Sequence, residues 1–331
     1  MYITSISPSS YNTAEECEMK YFIGNVLRIR EPAGIAAEKG TLVHGVLEYL
    51  ALLKKMDQDS ISEINHDSFG VIKAEKIDDI NADEIFSKVT EIFLKTAANK
   101  FDDKDIAECK KGVYAVLNAH ENPLKQKIIS TEHKFSIEID EPWADYVVNT
   151  EEGEKKGRYR INGIIDLIIE VDKDTIKFLD YKTGQRKDWI TSERKDYDKL
   201  MKDIQLNIYH YCIRKLYPNY TNYILSIFYT KDGGAFDLVF SEKDLDTTLK
   251  KLKDQFYRIR DIWIPKQNKT WKCEKFCFYR KLKLEGAPAE FRKGEFDEIN
   301  APMCACSHIN MLVKTHGIDK VTRDMKNVHR S

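Results

Sequence analysis

Asp180 and Lys182 stand two residues apart in the segment FLDYKTG, which spans residues 178–184. The apolar start of this segment is typical of a buried strand, and strand side chains alternate between two faces. We therefore expect both charged side chains on one face, at the end where the strand leaves the core. An acid beside an amine suits phosphate chemistry, although an ordinary ion pair at a strand end has the same appearance.

Asp166, on the preceding predicted strand, is a second acid that could lie close to Asp180. The β-like runs RYRINGIIDLIIEV and TIKFLDYKTG flank the turn sequence VDKDT. A three-residue loop at 172–174 would place Asp166 opposite Asp180, with their Cβ atoms about 4.5–5.5 Å apart. Two carboxylates so close repel each other, and a divalent cation between them, Mg²⁺ or Mn²⁺, would remove that repulsion. A slip of one residue would send Asp166 to the opposite face.

Two acids and a lysine around a metal suit the hydrolysis of a phosphodiester. The metal would polarise a phosphodiester and activate a water, while the Lys182 ammonium orients that water or stabilises the developing charge. His44 lies in a helix-like stretch, GTLVHGVLEYL, and imidazole is a good ligand for Mn²⁺. Gln205 and Tyr209 are spaced by four and share a helix face. The ordinary alternatives are a core histidine and an amphipathic helix with its tyrosine packed.

Four short motifs occur in order along the chain: GxxxH ending at His44, GIID ending at Asp166, DYKTG starting at Asp180, and QxxxY ending at Tyr209. This combination resembles the PD-(D/E)XK nuclease superfamily in its RecB-like branch. That branch includes the nuclease domains of RecB and AddB and the CRISPR-associated RecB-like exonucleases. The resemblance implies an α/β fold of the α+β kind, with a mixed central β-sheet flanked by helices in a restriction-endonuclease-like core. It also implies metal-dependent cleavage of DNA.

The resemblance further implies a role for each motif residue. The metal ligands would be His44, Asp166, Asp180 and the backbone carbonyl of Tyr181. Lys182 would be the catalytic lysine. Gln205 and Tyr209 would position that lysine or the DNA backbone.

Seven cysteines suggest a second site. They are Cys17, Cys109, Cys212, Cys273, Cys277, Cys304 and Cys306. An odd number without a secretory signal argues against a disulfide framework. One early thiol and four late ones favour a metal or cluster site closed by the two ends of the chain, while Cys109 and Cys212 are expected in helix cores.

Many members of the RecB-like branch bind an iron–sulfur cluster with one early cysteine and three late ones. The resemblance implies that the cluster ligands are Cys17, Cys273, Cys277 and Cys306 or Cys304. The chain departs from the family's late CxxC pattern, because it has CxxxC and carries Lys283 where a third cysteine is expected. A 4Fe–4S cluster is the expectation, with Zn²⁺ as an alternative of similar chemical fit and unligated thiols as the third.

The chain of 331 residues is expected to form a single RecB-like nuclease domain. A polar, helical insertion is predicted at 55–128, and a Cys-rich basic segment at 265–331. Residues 251–331 carry a surplus of 8 positive charges, which suggests a polyanion partner or simply a solvated surface. Aromatic-basic segments there, FYRKLK and QFYRIR, could stack bases and contact phosphates, or form an ordinary helix face with the tyrosine anchored in the core.

The expected function is a DNA exonuclease acting on single strands or duplex ends, in recombination, repair, CRISPR adaptation or phage DNA metabolism. Proteins of those processes are the expected partners. A non-catalytic DNA-binding scaffold and a sequence-specific endonuclease of the same fold are the alternatives. No run approaches the roughly 18 apolar residues of a membrane span. The N-terminus lacks a secretory signal. These features favour the cytoplasm of a bacterium, an archaeon or a phage-infected host. No helicase-like GxxxxGK[ST] motif is present.

Overall fold

The computed structural model describes residues 1, 3–150, 153–187, 193–232, 234–282 and 304–327. The chain divides into two compact units, each assembled from separate segments. The first contains Met1–Pro32, Ser136–Asn162 and Asp246–Ser331, and the second contains Ala33–Phe135 and Gly163–Leu245. Whether the two units act as the single domain expected for residues 1–331 stays a prediction.

Helices and strands alternate irregularly along the chain. The helices are α1 (Pro8–Glu16), α2 (Glu18–Tyr21), α3 (Ile35–Asp59), α4 (Ala82–Leu94), α5 (Asp103–Leu117), α6 (Tyr197–Met201), α7 (Ile204–Leu216), α8 (Glu242–Arg260), α9 (Trp271–Phe276), α10 (Phe278–Lys281), α11 (Ala305–His316) and α12 (Ile318–Asn327). The strands are β1 (Ser5–Ile6), β2 (Glu63–His66), β3 (Gly70–Lys73), β4 (Ile128–Glu138), β5 (Asp145–Thr150), β6 (Gly153–Arg158), β7 (Arg160–Glu170), β8 (Thr175–Lys182), β9 (Asn222–Tyr229) and β10 (Gly234–Val239).

The main sheet has mixed strand directions, as the family resemblance implied. Strands β7 and β8 pair antiparallel, β8 and β9 pair in parallel, and β9 and β10 pair antiparallel, while β4 pairs with β7. Inside the first unit, β1 adds in parallel to the first residues of β7. The predicted fold class, a mixed central sheet flanked by helices, is confirmed.

The register of the β7–β8 hairpin is the one that the turn sequence predicted. The N–H of Val171 donates to the carbonyl of Thr175 at 3.0 Å, so residues 172–174 form the loop. The ladder continues to the pair Leu167–Leu179. Because turn length fixes hairpin register, Asp166 and Asp180 fall one step beyond that last pair.

One face of the sheet in the second unit is covered by α3, α4 and α5. Leu167, Ile169, Leu179 and Tyr181 alternate along β7 and β8 and belong to the same apolar cluster as the buried residues of these helices. Burying each such side chain contributes about 1.5–3 kcal/mol. This packing places the end of β8 and the middle of β7, at Asp166, beside His44 of α3.

The insertion predicted at 55–128 is helical in α4 and α5 but also contains a hairpin that the sequence reading missed. Strands β2 and β3 pair antiparallel, and Gly70 has the left-handed φ of +67°. Gln205 and Tyr209 lie on α7, which begins as a new helix after α6 because the Asp203 side chain accepts from the N–H of Gln205. In the described part of the chain, no helix has the length and apolar character needed to cross a membrane.

Candidate metal centre

The end of β8 brings an acid and an amine together, as predicted. Nζ of Lys182 donates to Oδ1 of Asp180 at 2.9 Å and lies 2.7 Å from Oδ2. The Asp180 side chain is 19 % exposed, and its Oδ2 has no well-oriented hydrogen bond within the described residues. A half-buried carboxylate whose oxygens face only an ammonium can take a metal cation if the lysine moves aside.

Tyr181 links the two sides of the site through its backbone. Its N–H donates to Oδ2 of Asp166 at 2.7 Å, and its carbonyl oxygen lies 2.9 Å from Nε2 of His44. Past Leu179, therefore, β8 bonds to side chains in place of a ladder with β7. The carbonyl that the family resemblance singled out lies directly beside the imidazole.

Glu132 is a further acid in the site, and the sequence reading missed it. Nδ1 of His44 lies 3.6 Å from Oδ1 of Asp166 and 3.8 Å from Oε1 of Glu132. One ligand atom from each of these three residues lies within 4.8 Å of the other two, a grouping that could hold a metal ion. Asp180, which was predicted as a ligand, lies outside this group and is engaged by Lys182.

The backbone at Glu132 is unusual for a residue within β4. Its φ is +42°, in the left-handed region that costs a residue with a side chain about 1 kcal/mol or more. The neighbouring Thr131 hydroxyl donates to the carbonyl of Asp166 at 3.1 Å, which ties this irregular point to β7. Strained residues of this kind concentrate at functional sites. The polar run STEHK, which breaks the strand alternation, was the available signal.

The charges in the site favour a bound cation. Burial lowers the pKa of His44, but hydrogen bonding to Asp166 and Glu132 outweighs it and raises the value to about 10. Burial raises the pKa of Asp180, and the Asp166 charge raises it further, while Lys182 acts in the opposite direction. Without a metal, three carboxylates thus lie beside one ammonium and one imidazolium, and His44 would release a proton when it binds a metal. Oxygen-rich donors with one imidazole fit Mg²⁺ or Mn²⁺.

The QxxxY pair holds β7, and the bonds described for it do not extend to Lys182. The Tyr209 hydroxyl donates to the carbonyl of Ile164 at 3.2 Å, two residues before Asp166. The Gln205 side chain hydrogen-bonds to Tyr209, and burial raises the tyrosine's pKa. Both residues lie near the predicted site, where they can position the strand that carries Asp166.

Two motif glycines permit close packing. A Cβ on Gly163 would lie 2.7 Å from Cε1 of Phe135, so the phenyl ring occupies the space that a side chain would need. A Cβ on Gly40 would lie 3.1 Å from the Thr183 hydroxyl oxygen. These close approaches set the distance from β7 to β4, and from α3 to the residue after Lys182.

The cysteines predicted as cluster ligands all lie in the first unit. Cys17 separates α1 from α2, Cys273 lies on α9, and Cys277 joins α9 to α10. After burial, the neighbouring Cys277 and Cys17 raise the pKa of Cys273 most, and Cys304 adds to the effect. Soft sulfur donors are the ligands that an iron–sulfur cluster or Zn²⁺ takes, but within the described residues no three thiols lie within 4.8 Å of one another.

Cys304 and Cys306 have different surroundings. Cys304 is the N-cap of α11, and the Arg280 guanidinium donates to its Sγ at 3.4 Å. Cys306 lies one residue inside that helix, and Nε2 of Gln267 donates to its Sγ at 3.2 Å. Lys283 lies outside the described residues. Away from this site, Cys109 and Cys212 are buried in α5 and α7, as predicted.

The base-stacking role suggested for the segment FYRKLK is wrong for its tyrosine. Tyr279 is 3 % exposed, and its hydroxyl donates to the carbonyl of Ile29 at 2.6 Å. A ring buried in this way anchors the backbone and presents no face to a base.

A family model described as the PD-(D/E)XK nuclease superfamily matches residues 5–282. The chain belongs to the PD-(D/E)XK nuclease superfamily. Among curated proteins, it is 26 % identical over 184 residues to an ATP-dependent helicase/deoxyribonuclease subunit of Streptococcus uberis. That match covers 55 % of this chain but only 14 % of the larger protein, so this chain corresponds to a small part of its relative. The similarity supports the RecB-like branch that the motifs indicated.

Among solved structures, a crystal structure of a candidate exonuclease from Eubacterium rectale matches with a TM-score of 0.47 and 11 % sequence identity. The match covers 83 % of this chain and 87 % of the other. In the present chain, the structure brings together His44, Asp166 and Glu132, which the sequence did not predict. Asp180 and Lys182 lie beside them.

Proposed function

We propose that this chain is a divalent-metal-dependent nuclease that hydrolyses phosphodiester bonds of DNA. One observation carries the proposal. Asp166 and His44 both bond to the backbone of Tyr181, Glu132 groups with them within 4.8 Å, and the Lys182 ammonium lies 2.9 Å from Oδ1 of the adjacent Asp180. Membership of the PD-(D/E)XK nuclease superfamily supports this interpretation.

The residues of the site would have separate roles as metal ligands, as a positively charged lysine and as supports for the strand that carries Asp166. His44, Glu132, Asp166 and the carbonyl of Tyr181 would hold Mg²⁺ or Mn²⁺, with Asp180 adding an oxygen. A bound metal of this kind polarises a phosphodiester and lowers the pKa of a water. Each ligand is held by an element of the second unit, so the set is formed before any substrate arrives.

Lys182 would act on the attacking water and on the developing phosphate charge. Burial lowers its pKa, but the neighbouring Asp180 outweighs burial and raises it, so the side chain stays an ammonium at neutral pH. An ammonium cannot serve as a general base, but it can hold a water in line and stabilise negative charge on the phosphate oxygens. Removing one such donor lowers a rate by about 10²–10³.

Tyr209 and Gln205 would position the strand that carries Asp166. The hydroxyl of Tyr209 is bonded to the backbone of Ile164, and Gln205 is bonded to Tyr209. Loss of this support would loosen Asp166 without removing a ligand. We expect Tyr209→Phe to lower the rate of cleavage more than the affinity for metal.

The proposed substrate is single-stranded DNA or a duplex end, and the proposed mode is exonucleolytic. The QxxxY element resembles the exonuclease members of the RecB-like branch, and the curated relative is named as a helicase/deoxyribonuclease subunit. We therefore propose that the chain acts beside other proteins of DNA metabolism, in recombination, repair, CRISPR adaptation or phage replication, with an ATP-dependent helicase as one candidate partner.

We also propose that the first unit holds a 4Fe–4S cluster through Cys17, Cys273, Cys277 and a fourth thiolate. Cys304 is the better fourth ligand, because it stands at the start of α11 beside the Arg280 guanidinium, where a thiolate is favoured. Cys306 is the alternative, and Zn²⁺ is the alternative occupant. The cluster would join the early and late segments of the first unit.

The test of the nuclease uses end-labelled linear DNA, single- and double-stranded, and a closed circle. Purified protein is incubated with each substrate in Mg²⁺, in Mn²⁺ and in EDTA. We expect metal-dependent degradation of linear DNA and an intact circle. Cleavage of the circle would show an endonuclease and not an exonuclease. A protein that binds DNA but cleaves none of the substrates would be a non-catalytic scaffold.

A further inference from the structure

We propose that a cationic cleft in the first unit binds single-stranded DNA at a site distinct from the metal centre. The cleft encloses about 770 Å³ and is formed by the start of the chain, the π-helical turn Phe22–Val26 with the irregular residues after it, and the β5–β6 hairpin. The proposal rests on DNA as the proposed substrate and adds where the first unit would hold it.

The lining of the cleft is strongly positive. Arg28, Arg30, Lys155 and Lys156 line it, and none of the described lining residues carries a carboxylate. Lys156 pairs with Glu154 at 3.1 Å, but that acid is outside the lining. A concave surface of one charge concentrates the opposite charge, and regularly spaced phosphates are the polyanion that such a groove suits.

The two arginines are presented together by one short segment. Arg28 and Arg30 are exposed and flank the buried Ile29, so both guanidinium groups lie on the solvent side. Within the described part of the chain, neither guanidinium makes a hydrogen bond or an ion pair. Arginines that are exposed, adjacent in space and not neutralised by acids can each contact a phosphate.

An aromatic ring and neutral polar groups complete the lining. Tyr146 on β5 lies directly across from Gly157 on β6, and a Cβ on that glycine would lie 2.6 Å from the tyrosine Cζ. The missing side chain thus leaves room for the half-buried ring. Asn25 and Asn162 add amide donors. A cationic groove with an aromatic platform is the usual arrangement for binding single strands without sequence preference.

The arginine segment is held in place by the cysteine-bearing end of the chain. The Tyr279 hydroxyl donates to the carbonyl of Ile29, between the two arginines. Arg28 itself has a φ of +65°, a left-handed conformation that needs support from its surroundings. A Cβ on Gly24 would lie 3.0 Å from the same hydroxyl, so the tyrosine contacts both sides of this segment. Tyr279 follows Cys277 by two residues, so the cysteine site and the cleft share one support.

The size of the cleft favours a single strand over a duplex. Its volume falls within the about 300–1,000 Å³ of pockets that enclose small molecules. Such a space accepts a few nucleotides with their bases separated, whereas a duplex could only lie across the opening. The ring of Tyr146 would then stack on one base while the arginines contact flanking phosphates.

The test measures DNA binding without cleavage. A fluorescein-labelled oligothymidylate of about 20 nucleotides, longer than one binding fold needs, is titrated in EDTA and followed by anisotropy. We expect Arg28→Ala with Arg30→Ala to weaken binding about tenfold or more, and to reduce the salt slope by about 0.7 for each phosphate that is no longer neutralised. Lys250→Ala with Lys253→Ala, on the exposed face of α8, removes the same charge and should leave binding unchanged.

Two further variants make the result specific. Tyr279→Phe removes one hydroxyl and keeps the packed ring, so it should weaken binding while the folded fraction, measured by circular dichroism, stays at the wild-type value. Tyr146→Ser should weaken binding with no change in the salt slope, since stacking releases no counterions. Wild-type affinity in the arginine double variant would overturn the proposal, as would equal losses in the Lys250 and Lys253 control.

Competing nucleic acids show which polyanion the cleft prefers, and further controls distinguish DNA binding by the cleft from the nuclease activity. An oligouridylate or a duplex that binds more tightly in a cleft-dependent way would overturn the assignment to single-stranded DNA. The variant Lys95→Ala should bind like wild type, because this exposed lysine belongs to the second unit and lies outside the cleft. Cleft-dependent binding in a wild-type protein that cleaves nothing would refute the nuclease and leave the cleft standing.

Discussion

Replacing Gly163 by alanine tests whether the close approach of β7 to β4 sets the geometry of the metal centre. The new Cβ would lie 2.7 Å from Cε1 and 3.2 Å from Cε2 of Phe135. Real Cβ contacts are essentially never shorter than 3.0 Å. The ring is 7 % exposed and packs edge-on to Tyr209, with centroids 6.4 Å apart, so it has little room to move.

The expected size of the effect follows from this overpacking. Forcing an extra methyl into a packed site costs about 1–3 kcal/mol. For a chain of 331 residues, that corresponds to a fall in Tm of roughly 1.5–4 °C. Glu132 precedes Phe135 by three residues on β4, and Asp166 follows Gly163 by three on β7. Pushing the strands apart therefore separates two ligands, and a misplacement of about 1 Å can lower a rate about 10²-fold.

The assay combines thermal unfolding with the rate of metal-dependent cleavage. Gly184→Ala is the matched control, because that motif glycine has no atom within 4 Å of the added Cβ, and its Tm should stay near wild type. Phe135→Leu removes the ring, so the double variant with Gly163→Ala should recover part of the loss. A Tm for Gly163→Ala within about 1 °C of wild type, or no coupling in the double-mutant cycle, would refute the reasoning.

Three further predictions concern single groups. Glu132→Gly should bind Mn²⁺ about tenfold or more weakly, measured by calorimetry. It should nevertheless melt at or above the wild-type temperature, because glycine accepts a φ of +42° without strain. Undiminished Mn²⁺ affinity would remove Glu132 from the ligand set. Cys304→Ser should lose iron and visible absorbance while Cys306→Ser keeps both, and the reverse result would make Cys306 the ligand. Hydrogen bonds from Lys231 and a second lysine lower the pKa of Glu108 from 4.5 to about 2. Glu108→Gln should therefore have a lower free energy of unfolding than wild type above about pH 5, by about 1 kcal/mol or less given the exposure of the side chain. This difference should close as pH falls from 4.5 towards 2, because the stabilisation disappears once the folded carboxyl is protonated. A difference that stays constant with pH would contradict the ion pair.

The sequence predicted the β7–β8 hairpin well because its register is decided locally. The turn VDKDT fixes the loop at 172–174, and alternation then assigns every side chain to a face. Asp180 and Lys182 are adjacent for the same reason. His44 could be placed on α3 from its period alone, but only the family motif connected it to the strand end.

Glu132 could not be predicted in this way, because its position depends on contacts between distant segments. Strand β4 pairs with β7, and a left-handed residue at Glu132 breaks the alternation that sequence reasoning relies on. The role of Tyr279 was misjudged for a similar reason. An aromatic residue between basic ones has the same pattern whether its ring is exposed or buried, and only the fold shows its hydroxyl bonded to Ile29.

The central claim, a metal-dependent nuclease centred on Lys182, is tested most directly by the single-turnover cleavage rate of end-labelled linear DNA. The comparison is wild type against Lys182→Ala in saturating Mn²⁺, with Lys95→Ala as a charge-matched control at a lysine that is 67 % exposed. We predict a loss of about 10²–10³-fold for Lys182→Ala with Mn²⁺ affinity retained, and none for Lys95→Ala. An equal rate in the Lys182→Ala variant, or cleavage that persists in EDTA, would contradict the account.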